Sequence, residues 1–338
     1  MSAYGTITVA SRPVDLLPPT SWDLPQPAAP SKPTAPFRRL ALHHLRLDSA
    51  RALPGPSLLD YTHRIFAAEI EAGRTYPQEA VAGSSGLIGE QPDNDGGDAD
   101  TDTDTAAQTY TRAAFEAYFW AADVIVAIGQ TDEDAVDGGD GDVQVQVMGV
   151  EASRAGRRWE DALVGFYYVK PNYPGRSSHV SPVLRSLCHF YIRRSSVIRW
   201  AGLIAQQCLI LAMLMCLQIC NAGFIIPPAH REFGYGKTLG KSYLHYGPSL
   251  GYKASVFNLV YANNTGSLRY VRATLYQDDR SAKASPRIWD SLGFTRAGLI
   301  PRAGRLRRAD GNGEEWVDSI IYYRSFVDEE EWARPIDG

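Results

Sequence analysis

The chain has 338 residues, a formal net charge of −4 and 44% apolar residues. That length builds one large domain or two small ones, the apolar share supports a packed core, and near-balanced charge gives no electrostatic reason to expect nucleic acid as the main partner. Four cysteines are too few and too bunched for a disulfide framework, and the N-terminus shows no basic stretch leading into an apolar run. A reducing, intracellular home is expected, in the cytoplasm or nucleus.

Residues 1–36 carry many prolines and little periodicity, and are expected to be disordered. RRLALHHLRL (38–47) alternates as a first strand. In SLLDYTHRIFAAEIEAG (57–73) the residues Leu58, Leu59, Tyr61, Ile65, Phe66 and Ile70 fall on one helical face and Gly73 ends the helix. Residues 91–105 and 131–142 are acidic loops that lack the oxygen spacing and closing glutamate of a calcium site. Between them, 111–129 reads as a helix running into a strand at Val124–Ile128. DALVGFYYVKPN (161–172), CNAGFIIP (220–227), ASVFNLVYA (254–262) and EEWVDSIIYYRSF (314–326) read as strands. GKTLGKSYLHY (236–246), stopped by Gly247 and Pro248, and RIWDSLGF (287–294), ended by Gly293, read as helices. The order predicts an α/β or α+β layered domain with a central mixed, twisted sheet.

The stretch IPPAHREFGYGKTLGKSYLHYGPSLGY (226–252) joins a strand to a helix through Gly234 and Gly236. A helix N-terminus presents unpaired N–H groups and positive dipole density, which suits pyrophosphate. The two glycines let backbone approach the anion, and Arg231 and Lys237 add charge. A Walker A loop is excluded, because its first glycine falls on Arg231. A Rossmann loop lacks its third glycine.

Arg231-Glu232-Phe233-Gly234-Tyr235-Gly236 resembles the acyl-CoA pyrophosphate loop of the GNAT (Gcn5-related) N-acetyltransferase superfamily. CNAGFIIPPAHREFGYGKTLG is similar to that family's fourth strand, loop and third helix, SVFNLVYANNT to its fifth strand, and IWDSLGF to the end of its fourth helix. Within the superfamily, YPGRSSH, CNAGF, FNLV, NN and RIWDSLGF together resemble fungal enzymes related to azetidine-2-carboxylate (proline-analogue) N-acetyltransferase. The resemblance implies acetyl-CoA as co-substrate, held between splayed parallel strands. Backbone N–H groups around Gly223 to Ile226, Phe224 included, would orient the acyl arm, and amides from Phe233 through Tyr235 to Thr238 would take the pyrophosphate. Asn221, Asn258 and Asn264 match asparagines of the proline-analogue relatives: Asn221 for the acceptor, Asn258 and Asn264 for the pantetheine arm. The family's tyrosine acid falls on Trp289, which has no hydroxyl, and no carboxylate in CNAGFII serves as base. Tyr168, Tyr173 and His179 lie near in sequence without an assigned role. The reaction implied is direct attack of a small-molecule amine, an amino acid or proline analogue, on acetyl-CoA in a ternary complex; the alternatives are a protein or peptide N-acetyltransferase, or a chain whose site is broken. No metal, nucleic acid or membrane partner is expected, and a homodimer is compatible.

Two stretches have no place in the family pattern: 180–218 and 270–287. Both read as translated introns inside a GNAT domain spanning 37–330. Val180-Ser181 can be encoded GTA-AGT and Leu217-Gln218 can end in CAG; Arg269-Tyr270-Val271 can contain GTACGT and Arg287 can supply the closing AG. Removal would restore GRSSHICNAGFII and NNTGSLRIWDSLGF. The competing reading of 203–220 as a membrane span is interrupted by Gln206, Gln207 and Gln218.

Overall fold

A computed structural model describes residues 15–24, 35–76, 110–131, 149–172, 219–262, 284–308 and 310–333. Among these, eight strands form one sheet in the order β1-β2-β3-β4-β5-β6-β8-β7. The strands are β1 (Thr20–Asp23), β2 (Arg39–Leu45), β3 (Asp123–Gln130), β4 (Leu163–Pro171), β5 (Ile219–Ile225), β6 (Ala254–Tyr261), β7 (Thr295–Arg307) and β8 (Glu314–Ser325). Every neighbouring pair is antiparallel except β5 and β6, which run parallel. The fold is mixed α/β, as the element order predicts.

Helices cover both faces. On one lie α1 (Leu47–Arg51), α2 (Leu58–Ala72), α3 (Arg112–Phe119), α4 (Val150–Arg154) and α5 (Trp159–Ala162), packed over Val124, Val126, Ile128, Phe166, Tyr168 and Ile225. On the other lie α6 (Tyr235–Ser249) and α7 (Ala284–Ser291), over Ile125, Tyr167, Val169, Cys220 and Phe257. The near-continuous apolar runs of β3 and β4 follow from this: strands buried on both faces cannot alternate apolar with polar. A last short helix, α8 (Glu329–Ala333), follows β8.

α2 forms where its periodicity places it. Ser57 caps it by accepting a hydrogen bond from the Asp60 backbone N–H, and Gly73 closes it with a left-handed φ of 62°. α6 runs further than expected. Gly247 and Pro248 lie inside it: proline removes only its own N–H, in a last turn that Leu250 N–H to Tyr246 C=O still closes, at 2.9 Å. Gly247 is small for packing, since a Cβ there would meet Cε2 of Phe326 at 2.7 Å.

The edges depart from the sequence reading. Thr20–Asp23, inside the stretch expected to be disordered, pairs with β2 as an edge strand, and Thr20 Oγ1 meets the Tyr246 hydroxyl at 2.9 Å. β7 has no counterpart in the sequence reading. It is a partly exposed edge strand with a proline, Pro301, and register shifts at Arg296/Gly298 and Ile300/Gly304, features tolerated only at a sheet edge. The acidic loops 91–105 and 132–142 lie outside the described residues, as do 180–218 and 270–283. β5 begins at Ile219, directly after the first expected insert. α7 begins at Ala284, within the second expected insert, so 284–287 form its first turn.

Candidate active site

β5 and β6 share only two residue pairs, Ile219 with Ala254 and Cys220 with Ser255, and beyond them the strands part. Tyr243 of α6 pins the base of this splay. Its hydroxyl donates to Ser255 Oγ at 2.7 Å and lies 2.9 Å from Cys220 Sγ, so one buried side chain ties both strands. Asn172 N–H donates to the Ile219 carbonyl at 3.0 Å, which fixes the direction of Ile219's backbone groups towards β4. Alternation along the strand then turns the N–H and C=O groups of Ala222 and Phe224 towards the splay. Among the described residues no strand pairs with these groups, in the middle of a sheet, the place where an extended ligand can lie.

β5 leads by a short 3-10 turn, Pro228–His230, to the N-terminus of α6. Gly234 is the N-cap, in a left-handed conformation at φ 85° that disfavours a side chain, and a Cβ there would meet nothing within 4 Å. Lys237 is exposed beside it, Phe233 is half-buried, and Tyr235 and Thr238 are buried beneath the turn. Two of the expected site residues have other neighbours in the structure. Gly236 faces inward: a Cβ would lie 3.2 Å from Ile288 Cδ1 and 3.3 Å from Ile226 Cδ1, so its smallness serves the packing of α6 on α7. Arg231 has partners of its own. It donates to the Ile226 carbonyl at 3.0 Å and pairs with Glu69 of α2, while the Lys237 N–H donates to the Gly234 carbonyl at 3.2 Å, which leaves the Lys237 ammonium and the N–H groups of Tyr235 and Gly236 to meet an anion.

On the α6–α7 side the splay holds an aromatic wedge. Trp289 lies 5.0 Å from Phe224 of β5 and 4.5 Å from Phe257 of β6, ring centre to ring centre, and its indole N–H donates to Ser285 Oγ at 3.0 Å. It is a buried spacer between the strands with its one polar group occupied, and it carries no acid.

On the α2–α3 side the floor is polar. By alternation Asn221 points there, as do Lys170, Asn172 and Asn258. Asn258 Nδ2 donates to Asn172 Oδ1 at 2.7 Å and Asn172 Nδ2 donates to the Val256 carbonyl at 3.2 Å, so an amide pair ties the residue that follows β4 to β6. The expected role of Asn258 on a pantetheine arm thus shares this residue with a structural bond. Asn264, Tyr173 and His179 lie outside the described residues. Tyr168 sits beneath Gly223, its hydroxyl 3.1 Å from that of Tyr118. Burial holds the Tyr168 phenol well above its ordinary pKa, so it stays protonated.

The sequence reading missed Lys170. Its Nζ sits 3.8 Å from the ring centre of Tyr118 and 4.1 Å from that of Tyr168, and donates to the Tyr118 carbonyl at 3.3 Å. Burial pushes its pKa down to about 8. A lysine inside an otherwise apolar strand was the available signal. Among the described residues no group of three or more His, Cys, Asp or Glu side chains is placed to hold a metal, and no helix is long and apolar enough to cross a membrane.

No family model matches the chain. It is 34% identical over 168 residues to N-acetyltransferase aca1 of Schizosaccharomyces pombe, a match covering 50% of this chain and 51% of that protein. It is 26% identical over 170 residues to Protein SPT10 of Saccharomyces cerevisiae, covering 50% of this chain and 17% of that one. The chain thus spans about half the length of the first relative and less of the second. Among solved structures, it is similar to a phosphinothricin acetyltransferase of the GNAT superfamily from Sinorhizobium meliloti in complex with AcCoA, with a TM-score of 0.40, 11% identity, and coverage of 83% of this chain and 89% of that one. It is also similar to a GCN5-related N-acetyltransferase from Kribbella flavida, with a TM-score of 0.38, 15% identity, and coverage of 85% and 97%.

Proposed function

We propose that the chain is a GNAT N-acetyltransferase that moves an acetyl group from acetyl-CoA to the amine of a small molecule, an amino acid or proline analogue. The observation that carries this is the placement of the splay. β5 parts from β6 after Cys220, exposes the backbone of Ala222 and Phe224, and delivers the chain to a helix N-terminus that opens on a left-handed glycine. Similarity to a protein named N-acetyltransferase supports the same reading.

The residues fit such a co-substrate. The first-turn amides of α6 and the Lys237 ammonium suit a pyrophosphate. The N–H groups of Ala222 and Phe224 suit a thioester arm and can polarise its carbonyl, an oxyanion-hole role. Acetyl-CoA, when bound, supplies the activated acyl group. Asn221, on the opposite face, offers two donors and an acceptor without charge to the acceptor molecule. β5 carries no carboxylate to act as base, so on this reading the amine arrives unprotonated and much of the catalysis is positioning. The catalytic unit proposed is a single domain over 37–330, with 180–218 and 270–287 as intron-derived additions, working in the cytoplasm or nucleus.

Turnover of acetyl-CoA with a panel of small amines and a panel of peptides tests the reading. Small amines should be preferred, and Asn221→Ala should raise KM for the amine more than for acetyl-CoA. Preference for peptides would make the chain a protein N-acetyltransferase. Absence of acetyl-CoA binding by calorimetry would make it a non-catalytic chain.

A further inference from the structure

Among the described residues the polar floor holds one cation, Lys170, with no carboxylate beside it. Burial alone, with no charged neighbour among those residues, lowers its pKa. A cation in such a place is costly unless something compensates it. Two aromatic faces and one carbonyl compensate in part, and both favour the charged form. Lys170 stands opposite Asn221 in the β4–β5 register, and opposite residues of an antiparallel pair have their Cβ atoms about 5 Å apart. The amide pair Asn172–Asn258 adjoins them.

We propose that Lys170 selects acceptors that carry a carboxylate, binding that carboxylate together with Asn221 on the α2–α3 side of the splay. One ammonium among neutral amides matches a small monoanion; a phosphate would call for more positive charge than this face offers. The ring faces of Tyr118 and Tyr168 hold the ammonium from behind, and the carboxylate approaches from the side of Asn221. The acceptor's amine then lies towards Ala222 and Phe224, so a 1-amino carboxylic acid or its cyclic imino counterpart has the right compactness. Lys170 is a specificity residue here, and takes no proton from the amine.

The inference rests on the acetyltransferase reading, and the test separates the two. Acetyl transfer by the full chain is measured with proline against pyrrolidine and alanine against ethylamine, pairs that differ by one carboxylate. The wild-type chain should prefer the acid in each pair. Lys170→Met should lower the ratio of the two kcat/KM values about 10- to 100-fold, mainly through KM for the acid, the range expected for losing a hydrogen bond to a charged group. Lys170→Arg should restore part of that ratio. A ratio unchanged in Lys170→Met, or equal losses on both amines, overturns the proposal while leaving acetyl transfer intact. If the wild-type chain turns over no amine, the acetyltransferase reading has failed and direct binding reads Lys170 by itself. Calorimetry with N-acetylproline and N-acetylpyrrolidine should then show a preference for the acid that Lys170→Met abolishes, and no binding or no preference overturns the carboxylate site. Lys170→Gln replaces Lys170→Met should the latter fail to fold.

Discussion

Gly223→Ala is the smallest change that probes the floor of the site. An added Cβ would lie 2.6 Å from Cε1, 2.8 Å from Cζ and 2.9 Å from the hydroxyl oxygen of Tyr168. Carbon atoms rest at about 3.5–4.0 Å, so the ring would have to retreat by roughly 1 Å. It has nowhere to go: Phe119 stands edge-on at 5.0 Å, Tyr118 at 5.7 Å, and Tyr168 is only 3% exposed. Overpacking of this kind costs about 1–3 kcal/mol. Tyr168→Ala removes the obstacle at a cost of its own of about 3–5 kcal/mol, the range for truncating a buried aromatic side chain. In that background the new methyl enters vacated space and a strand glycine is replaced, which is neutral or gains up to about 1 kcal/mol. The double-mutant cycle should therefore show a coupling of roughly 1–4 kcal/mol. Urea unfolding at matched m-values measures it. Equal costs of Gly223→Ala in both backgrounds would refute the contact and with it the placement of β5 against Tyr168.

Tyr243→Phe should cost about 1–3 kcal/mol in urea unfolding, because Ser255 loses its buried donor and the base of the splay loses its pin; a variant as stable as wild type would show that the two strands need no tie there. His43 is held at a pKa of about 4 by burial, below its ordinary 6.5, with Ser153 Oγ 3.0 Å from its Nε2. The unfolded chain therefore takes up the proton first, and stability falls as pH drops through 6.5 towards 4, by roughly 3 kcal/mol over the whole window. His43→Gln should lose less stability than wild type between pH 7.5 and 4.5, and parallel losses would assign the acid sensitivity elsewhere. Deletion of 180–218 and 270–287 should raise solubility and acetyl-CoA turnover with small amines, since the first segment puts a greasy, arginine-bearing run directly before β5 in the sequence and the second separates Asn264 from Trp289 along the chain. Equal activity in the full chain would make both segments genuine loops, and sequencing the transcript across the junctions would settle their origin.

Elements with strong local signals were legible. α2 announced itself through a serine cap, a one-sided apolar stripe and a closing glycine, and β3 to β6 through their apolar runs. β7 was not, because arginines, glycines and Pro301 disguise a strand whose partly exposed surface permits them. The loop after β5 was legible as a turn into a helix, yet the duty of each residue was not. Gly234 and Gly236 look alike in sequence, and only the neighbours Ile226 and Ile288, brought from strand and helix, show that the second serves packing. Arg231 looked available until Glu69, far upstream, claimed it. Lys170 stood out as a lysine in an apolar strand, but its cage did not: it is assembled from α3 and β4, and no local pattern records that meeting.

The parting of β5 and β6 also divides the sheet mechanically. Five strands lie on one side of that line and three on the other, joined along the ladder by two residue pairs. Cooperative unfolding transmits strain through backbone ladders, and a seam this narrow lets the halves open with separate free energies. Amide hydrogen exchange should therefore resolve two protection classes, β2–β4 in one and β6–β8 in the other. An extended molecule lying against Ala222 and Phe224 would supply rungs that the chain itself omits. At a hundred times its Kd such a ligand adds about 2.7 kcal/mol to the state that binds it. Because that state has both halves closed, the two protection classes would merge, and the sheet would become a single cooperative unit only when its cleft is filled.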